Sequence, residues 1–113
     1  MKRNWTRIAS VTLGAVTLAT CVFSSVPAAA QEAGTALYKT KCTACHGADG
    51  KGDTSIGKTN KIRDLSSADV QQQNDADLTA IIVNGKGKMP AYGKSLKPDQ
   101  VKDLVSYIRS LKK

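Results

Sequence analysis

The chain has 113 residues, with 17 Lys and Arg against 9 Asp and Glu, a formal net charge of +8, and 4% aromatic residues. That length suits one small domain. The composition excludes a multidomain enzyme, a collagen-like repeat and a disulfide-dense scaffold.

The first thirty residues read as an address. Lys2, Arg3 and Arg7 precede an apolar run from Ile8 to Val26, Pro27 ends it, and Ala28-Ala29-Ala30 follows. A basic start, an apolar run and a small-residue cut site form a secretory signal peptide over residues 1–30, leaving 31–113 as the working domain in the periplasm. Two alternatives stand beside it. The nineteen apolar-run residues lie within the roughly 17–25 of a membrane-spanning helix, so an uncleaved anchor is one. The other is a lipoprotein attached at Cys21, since Leu18-Ala19-Thr20-Cys21 is similar to a lipid-attachment box, with Thr20 departing from it. A cut after Ala30 leaves 83 residues with a formal charge of +5, two Cys, one His, one Met, three Tyr, and neither Trp nor Phe. So thin an aromatic content points to an interior filled by something other than side chains, as small domains often require.

A first helix is expected from Glu32 to Ala44, carrying Gly34, Leu37 and Tyr38 ahead of Cys42-Thr43-Ala44-Cys45-His46. This C-x-x-C-H run is the attachment signature of c-type haem: each thiol can add across one vinyl group, and the adjacent imidazole can reach the iron. A structural disulfide is a weaker reading, because so short a loop gains little stability. A thioredoxin-like redox pair needs a βαβ pattern, and no alternating strand run is present. A structural zinc site takes four ligands, and after the cut the chain offers only these two Cys and one His.

Gly47 to Lys61 reads as irregular loop, with four glycines. Ser66 to Gln73 reads as a short helical turn. A second clear helix starts at Asn74 or Asp75, shows an apolar face of Leu78, Ile81 and Ile82, and ends at Asn84-Gly85. The loop Gly85-Lys86-Gly87-Lys88-Met89-Pro90 follows. A lone Met is ordinarily core filler. Met89 instead sits in a loop 43 residues after His46, with no helical stripe around it, and is the candidate second axial ligand. The third helix opens at Pro98 and repeats Val101, Leu104, Val105, Ile108 and Leu111 at three- and four-residue steps. Its apolar face is expected to pack on Gly34, Leu37 and Tyr38.

Together these residues resemble the class I c-type cytochromes, the small single-haem bacterial kind. Gly34, Tyr38 and Cys42, then Cys45-His46-Gly47, then Met89-Pro90, then Leu104 and Tyr107 carry the resemblance over Glu32 to Leu111. The resemblance implies an all-α fold of three main helices around one covalently attached haem c. It implies cofactor attachment through Cys42 and Cys45 and axial iron ligands His46 and Met89. It implies a one-electron carrier that shuttles between larger redox complexes and is not an enzyme. One departure stands out: many members have a Pro after the haem motif whose neighbouring carbonyl accepts the proximal His proton, and here no Pro lies between Pro27 and Pro90. A backbone carbonyl within Ser55 to Thr59 is the expected substitute.

The positive balance suggests redox protein partners with acidic docking surfaces, steered by Lys41, Lys51, Lys86, Lys88 and Lys94 around the motif and the Met loop. Nucleic acid is not expected as a partner, since no basic stripe with aromatics occurs. A monomer is expected, touching membranes only through partner complexes or a retained anchor. Two other functions remain open at this point. One is a gas-binding sensor or weak peroxidase module with Met89 displaced; the other is a small haem subunit of a larger oxidoreductase.

Overall fold

The computed structural model describes residues 27–113. The apolar run of the leader and the lipid-box reading at Cys21 lie outside the described residues. Among those residues, no helix is long and apolar enough to cross a membrane.

Six helices follow in order: α1 Ala28–Lys41, α2 Thr43–His46, α3 Ser55–Thr59, α4 Ala68–Gln71, α5 Asp75–Asn84 and α6 Pro98–Ser110. The fold is all-α, as expected. Three helices are long and three are single turns. The first departs from expectation at both ends. It begins at Ala28 rather than Glu32, and it breaks at Cys42 instead of running through to Ala44. Cys42 adopts φ −117°, and the Cys45 and His46 amides both bond its carbonyl. The Cys pair therefore straddles a break: Cys42 sits at the joint and Cys45 on the next turn.

Helix α5 starts as a good N-cap dictates, with Asn74 Oδ1 accepting from the Asp77 amide at 2.8 Å. Asp75 and Asp77 lie in its first turn, where the helix dipole favours negative charge. Helix α6 starts with Pro98 in its first turn, while Gln100 Oε1 accepts from the Lys97 amide at 2.9 Å. Arg109, near its far end, donates to the Gln71 and Gln73 carbonyls and to Asp75 Oδ1, tying the α4–α5 junction to α6.

The core is one cluster of Tyr38, Val70, Leu78, Ile82, Leu96, Val101, Leu104, Val105 and Ile108. Its spine is the crossing of α1 on α6. Gly34 makes the crossing close: a Cβ there would lie 2.2 Å from the Asp103 carbonyl oxygen and 3.1 Å from Tyr107 Cβ. One turn on, Tyr38 is 1% exposed, and its ring meets Tyr107 at a centroid distance of 4.6 Å. The expected face of α6 is buried except Leu111, which caps the helix and is half-buried.

The stretch expected to be irregular contains an unforeseen helix. Thr54 caps α3 by accepting the Gly57 amide at 2.8 Å. The same hydroxyl donates to the Cys45 carbonyl at 2.9 Å, so this turn is pinned directly behind the Cys pair.

Candidate functional site

A cavity of about 520 Å³ opens beside the core. Cys42, Cys45 and His46 line one part of its wall, and Met89 and Pro90 line another. Apolar side chains form much of the rest: Leu65, Val70, Leu78, Ile81, Ile82, Leu96, Leu104 and Ile108. Ile81 belongs to this wall rather than to the fully buried core, which explains an apolar residue left half-exposed on α5. The fold brings Cys42, Cys45, His46 and Met89 to one space from helices α1–α2 and the loop after α5.

The thiols are free and half-buried. Burial, with Cys45 beside it, pushes the Cys42 thiol up to about 11. A dithiol redox centre needs the opposite, a lowered value that supplies thiolate near neutral pH. Among the described residues, no group of three or more His, Cys, Asp or Glu is placed to hold a bare metal ion. The zinc reading therefore finds no ligand cluster among the described residues, and the raised Cys42 thiol does not favour disulfide exchange.

Burial holds the His46 imidazole below its ordinary value, so at neutral pH the ring is an uncharged base. Its Nδ1 is buried and has no hydrogen-bond partner. The acceptor expected within Ser55 to Thr59 is therefore not made. Nearby groups are engaged elsewhere: Thr54 Oγ1 serves Cys45 and Gly57, and the Gly57 carbonyl accepts the Ile62 amide. Tyr38 supports the turn from the core side, its hydroxyl donating to the Gly47 carbonyl at 2.7 Å.

Met89 is held by a tight turn. Lys86 and Met89 exchange both backbone hydrogen bonds, at 3.2 and 3.0 Å. Gly87, first of the two central residues, has φ +58°, which fits a two-residue hairpin turn of type II′. The chain then returns along α5, with the Tyr92 amide bonding Ile82 O and the Gly93 amide bonding Val83 O. Tyr92 Oη reaches across to donate to the Lys41 carbonyl at 3.2 Å.

Of the five lysines expected around the site, Lys41, Lys86 and Lys88 line the cavity, and Lys51 and Lys94 do not. Lys61 and Arg63 join them, and neither was singled out in the sequence. No Asp or Glu is among the lining residues. Thr54 and Tyr92 were also missed. Thr54 precedes the first α3 residue as an N-cap should, and that signal was there to be read; nothing local marks Tyr92.

The chain is similar to several known proteins. A family model described as cytochrome C oxidase, cbb3-type, subunit III matches residues 29–108. Cytochrome c6 of Gloeothece citriformis is 39% identical over 87 residues, covering 73% of this chain and 74% of that protein. Cytochrome c6 of a Nostoc species is 34% identical over 103 residues, covering 90% of each. The cbb3-type cytochrome c oxidase subunit CcoP of Azospirillum brasilense is 35% identical over 77% of this chain, but over only 30% of its own length. Among solved structures, the KustC0563 c-type cytochrome superposes with a TM-score of 0.66 at 33% identity, covering 71% of this chain and 98% of that one.

Proposed function

Because the chain belongs to the cytochrome c family, whose members bind haem c covalently and carry electrons, we propose that it is a periplasmic one-electron carrier. In this reading Cys42 and Cys45 form the thioether links, and His46 and Met89 are the axial ligands.

The observation that carries the reading is the shared cavity. Residues separated by 43 positions, His46 and Met89, line one mostly apolar space together with both thiols. The donor set fits haem c: two free thiols, a neutral imidazole, and a thioether in a fixed turn, all lining one cavity. When bound, haem supplies a one-electron iron couple, with the electron entering and leaving without bond rearrangement.

The chain's own residues set the conditions for that couple. Keeping His46 uncharged leaves a nitrogen lone pair free to bind metal. The apolar wall from Leu78 to Ile108 excludes water and disfavours the more positive oxidation state, which raises the potential. The turn at Lys86–Met89 limits how far the thioether can retreat between oxidation states. Lys41, Lys86 and Lys88 at the cavity, unopposed by acids there, favour an acidic docking surface on the redox partner. A transfer rate insensitive to salt would remove that last element.

The ferric spectrum tests the ligand set. The exported protein is expected to carry one covalent haem by mass and to show a methionine-to-iron charge-transfer band that Met89→Ala abolishes. A mass equal to the bare chain would falsify the haem assignment, and an unchanged band in Met89→Ala would remove the axial role. A second reading, a haem subunit within a larger oxidase, draws on the family description and on the match to CcoP. Purification from the native membrane separates the two: the carrier runs alone, and the subunit comes with its complex.

A further inference from the structure

We propose that Tyr92 is a positioning residue whose hydroxyl straps the Met89 loop to the Cys-bearing end of α1 and thereby sets how readily Met89 yields its place to another ligand. The inference rests on the reading of Met89 as an axial ligand.

The loop after α5 is fastened on one side only. Its backbone bonds run to Ile81, Ile82 and Val83 or stay within residues 86–96. Among the described residues, the Tyr92 hydroxyl makes the one hydrogen bond between this loop and the α1–α2 segment that carries Cys42, Cys45 and His46. It lands on a carbonyl that the helix break sets free. In a continuous α-helix the Cys45 amide would take Lys41 O, four residues back; here it takes Cys42 O. An unclaimed carbonyl at a helix end needs a partner from elsewhere. Tyr92 supplies it from the far side of the cavity, where its own ring is part of the lining.

The backbone at Tyr92 is fixed, so the strap transmits force. Its amide bonds Ile82 O, and its carbonyl accepts from the Ser95 and Leu96 amides, Leu96 being a core residue. Met89, the last residue of the turn, stands three residues before this anchor. Withdrawal of the loop from the Cys-bearing segment, with Tyr92 moving along, would break the Tyr92–Lys41 bond. At 3.2 Å the bond is long for an O–H···O contact, so its effect belongs at the lower end of the range for one hydrogen bond.

The test is imidazole binding to the ferric holoprotein, followed by loss of the methionine charge-transfer band. In Tyr92→Phe, which keeps the ring, the apparent affinity for imidazole is expected to rise about two- to fivefold, the Boltzmann factor of about 0.5–1 kcal/mol. Tyr107→Phe is the control, since its hydroxyl bonds to nothing among the described residues; its imidazole affinity is expected to match wild type. Equal affinity in Tyr92→Phe and wild type overturns the proposal. So does a lowered thermal midpoint in Tyr92→Phe with no change in imidazole affinity, which would mark a merely structural bond. A wild-type spectrum without the methionine band would instead remove the underlying ligand assignment, and the strap with it.

Discussion

Tyr38 shows how one buried side chain can couple the fold to pH. Its ring closes the α1–α6 crossing, and its hydroxyl holds the carbonyl directly after His46. Burial raises its pKa well above the ordinary phenol value of about 10. The folded state therefore keeps this proton where the unfolded chain releases it. The stability this gives is fully present below about pH 10 and is lost as pH climbs toward the raised value. Denaturant midpoints are expected to fall on titration above pH 10. Tyr38→Phe should flatten part of that fall, leaving the shares of Tyr92 and Tyr107, which burial also raises. At neutral pH the same variant should cost about 1 kcal/mol for the lost bond to Gly47. A fall above pH 10 as steep in Tyr38→Phe as in wild type would contradict this account. The residues readable in the sequence were those whose chemistry is rare: two thiols and an imidazole in a fixed motif, and a single methionine in a loop. Thr54 and Tyr92 act through ordinary hydroxyls on backbone carbonyls distant in sequence, and no local pattern encodes such a target.

At the scale of elements, α5 and α6 were legible because Asn74 caps the one, Pro98 opens the other, and each has an apolar repeat along its face. Helix α3 was not, because Ser-Ile-Gly-Lys-Thr mixes poor helix formers and is too short to show a period. It forms because Thr54 caps it and ties it to Cys45. The break at Cys42 was equally hidden, since neither Gly nor Pro marks it. The α1–α6 crossing was foreseen from Gly34, and its closeness yields a sharp expectation. Gly34→Ala drives a methyl to 2.2 Å from a carbonyl oxygen of the helix backbone, where no flexible side chain can yield. The two helices must separate, at a cost near the upper end of overpacking, about 3 kcal/mol. A variant whose unfolding free energy stays within about 0.5 kcal/mol of wild type would show that the crossing is looser than described.

For the whole molecule, the deciding quantity is the cavity. Its apolar wall, including Leu65, Val70, Leu78, Ile82, Leu96, Leu104 and Ile108, would pack against a bound haem and so enlarge a core that is thin for a domain whose entire stability is about 5–15 kcal/mol. The cofactor is thus a structural member as much as a redox centre. Cys42→Ala/Cys45→Ala, which removes both proposed attachment points for haem, is expected to lose cooperative thermal unfolding and much of its helical circular dichroism. A haem-free chain that melts cooperatively like the holoprotein would show that side chains alone sustain this fold. The shortage of aromatics in the sequence predicted a filler of this kind without giving its place.

Helix α1 begins at Ala28, so its first turn includes the three alanines where the proposed export cut falls. A peptidase handles an extended backbone, not a hydrogen-bonded turn, so the expected cut after Ala30 would have to come before α1 winds up against α6, which would order processing and folding in time. That cut would also rewrite the helix start. No acid lies in the first turn of α1 as it stands, but a chain opening at Gln31 brings Glu32 there. Its carboxylate would offset the new α-amino charge at the positive end of the helix dipole. The signal sequence would thus leave behind a helix better terminated than the one it entered with.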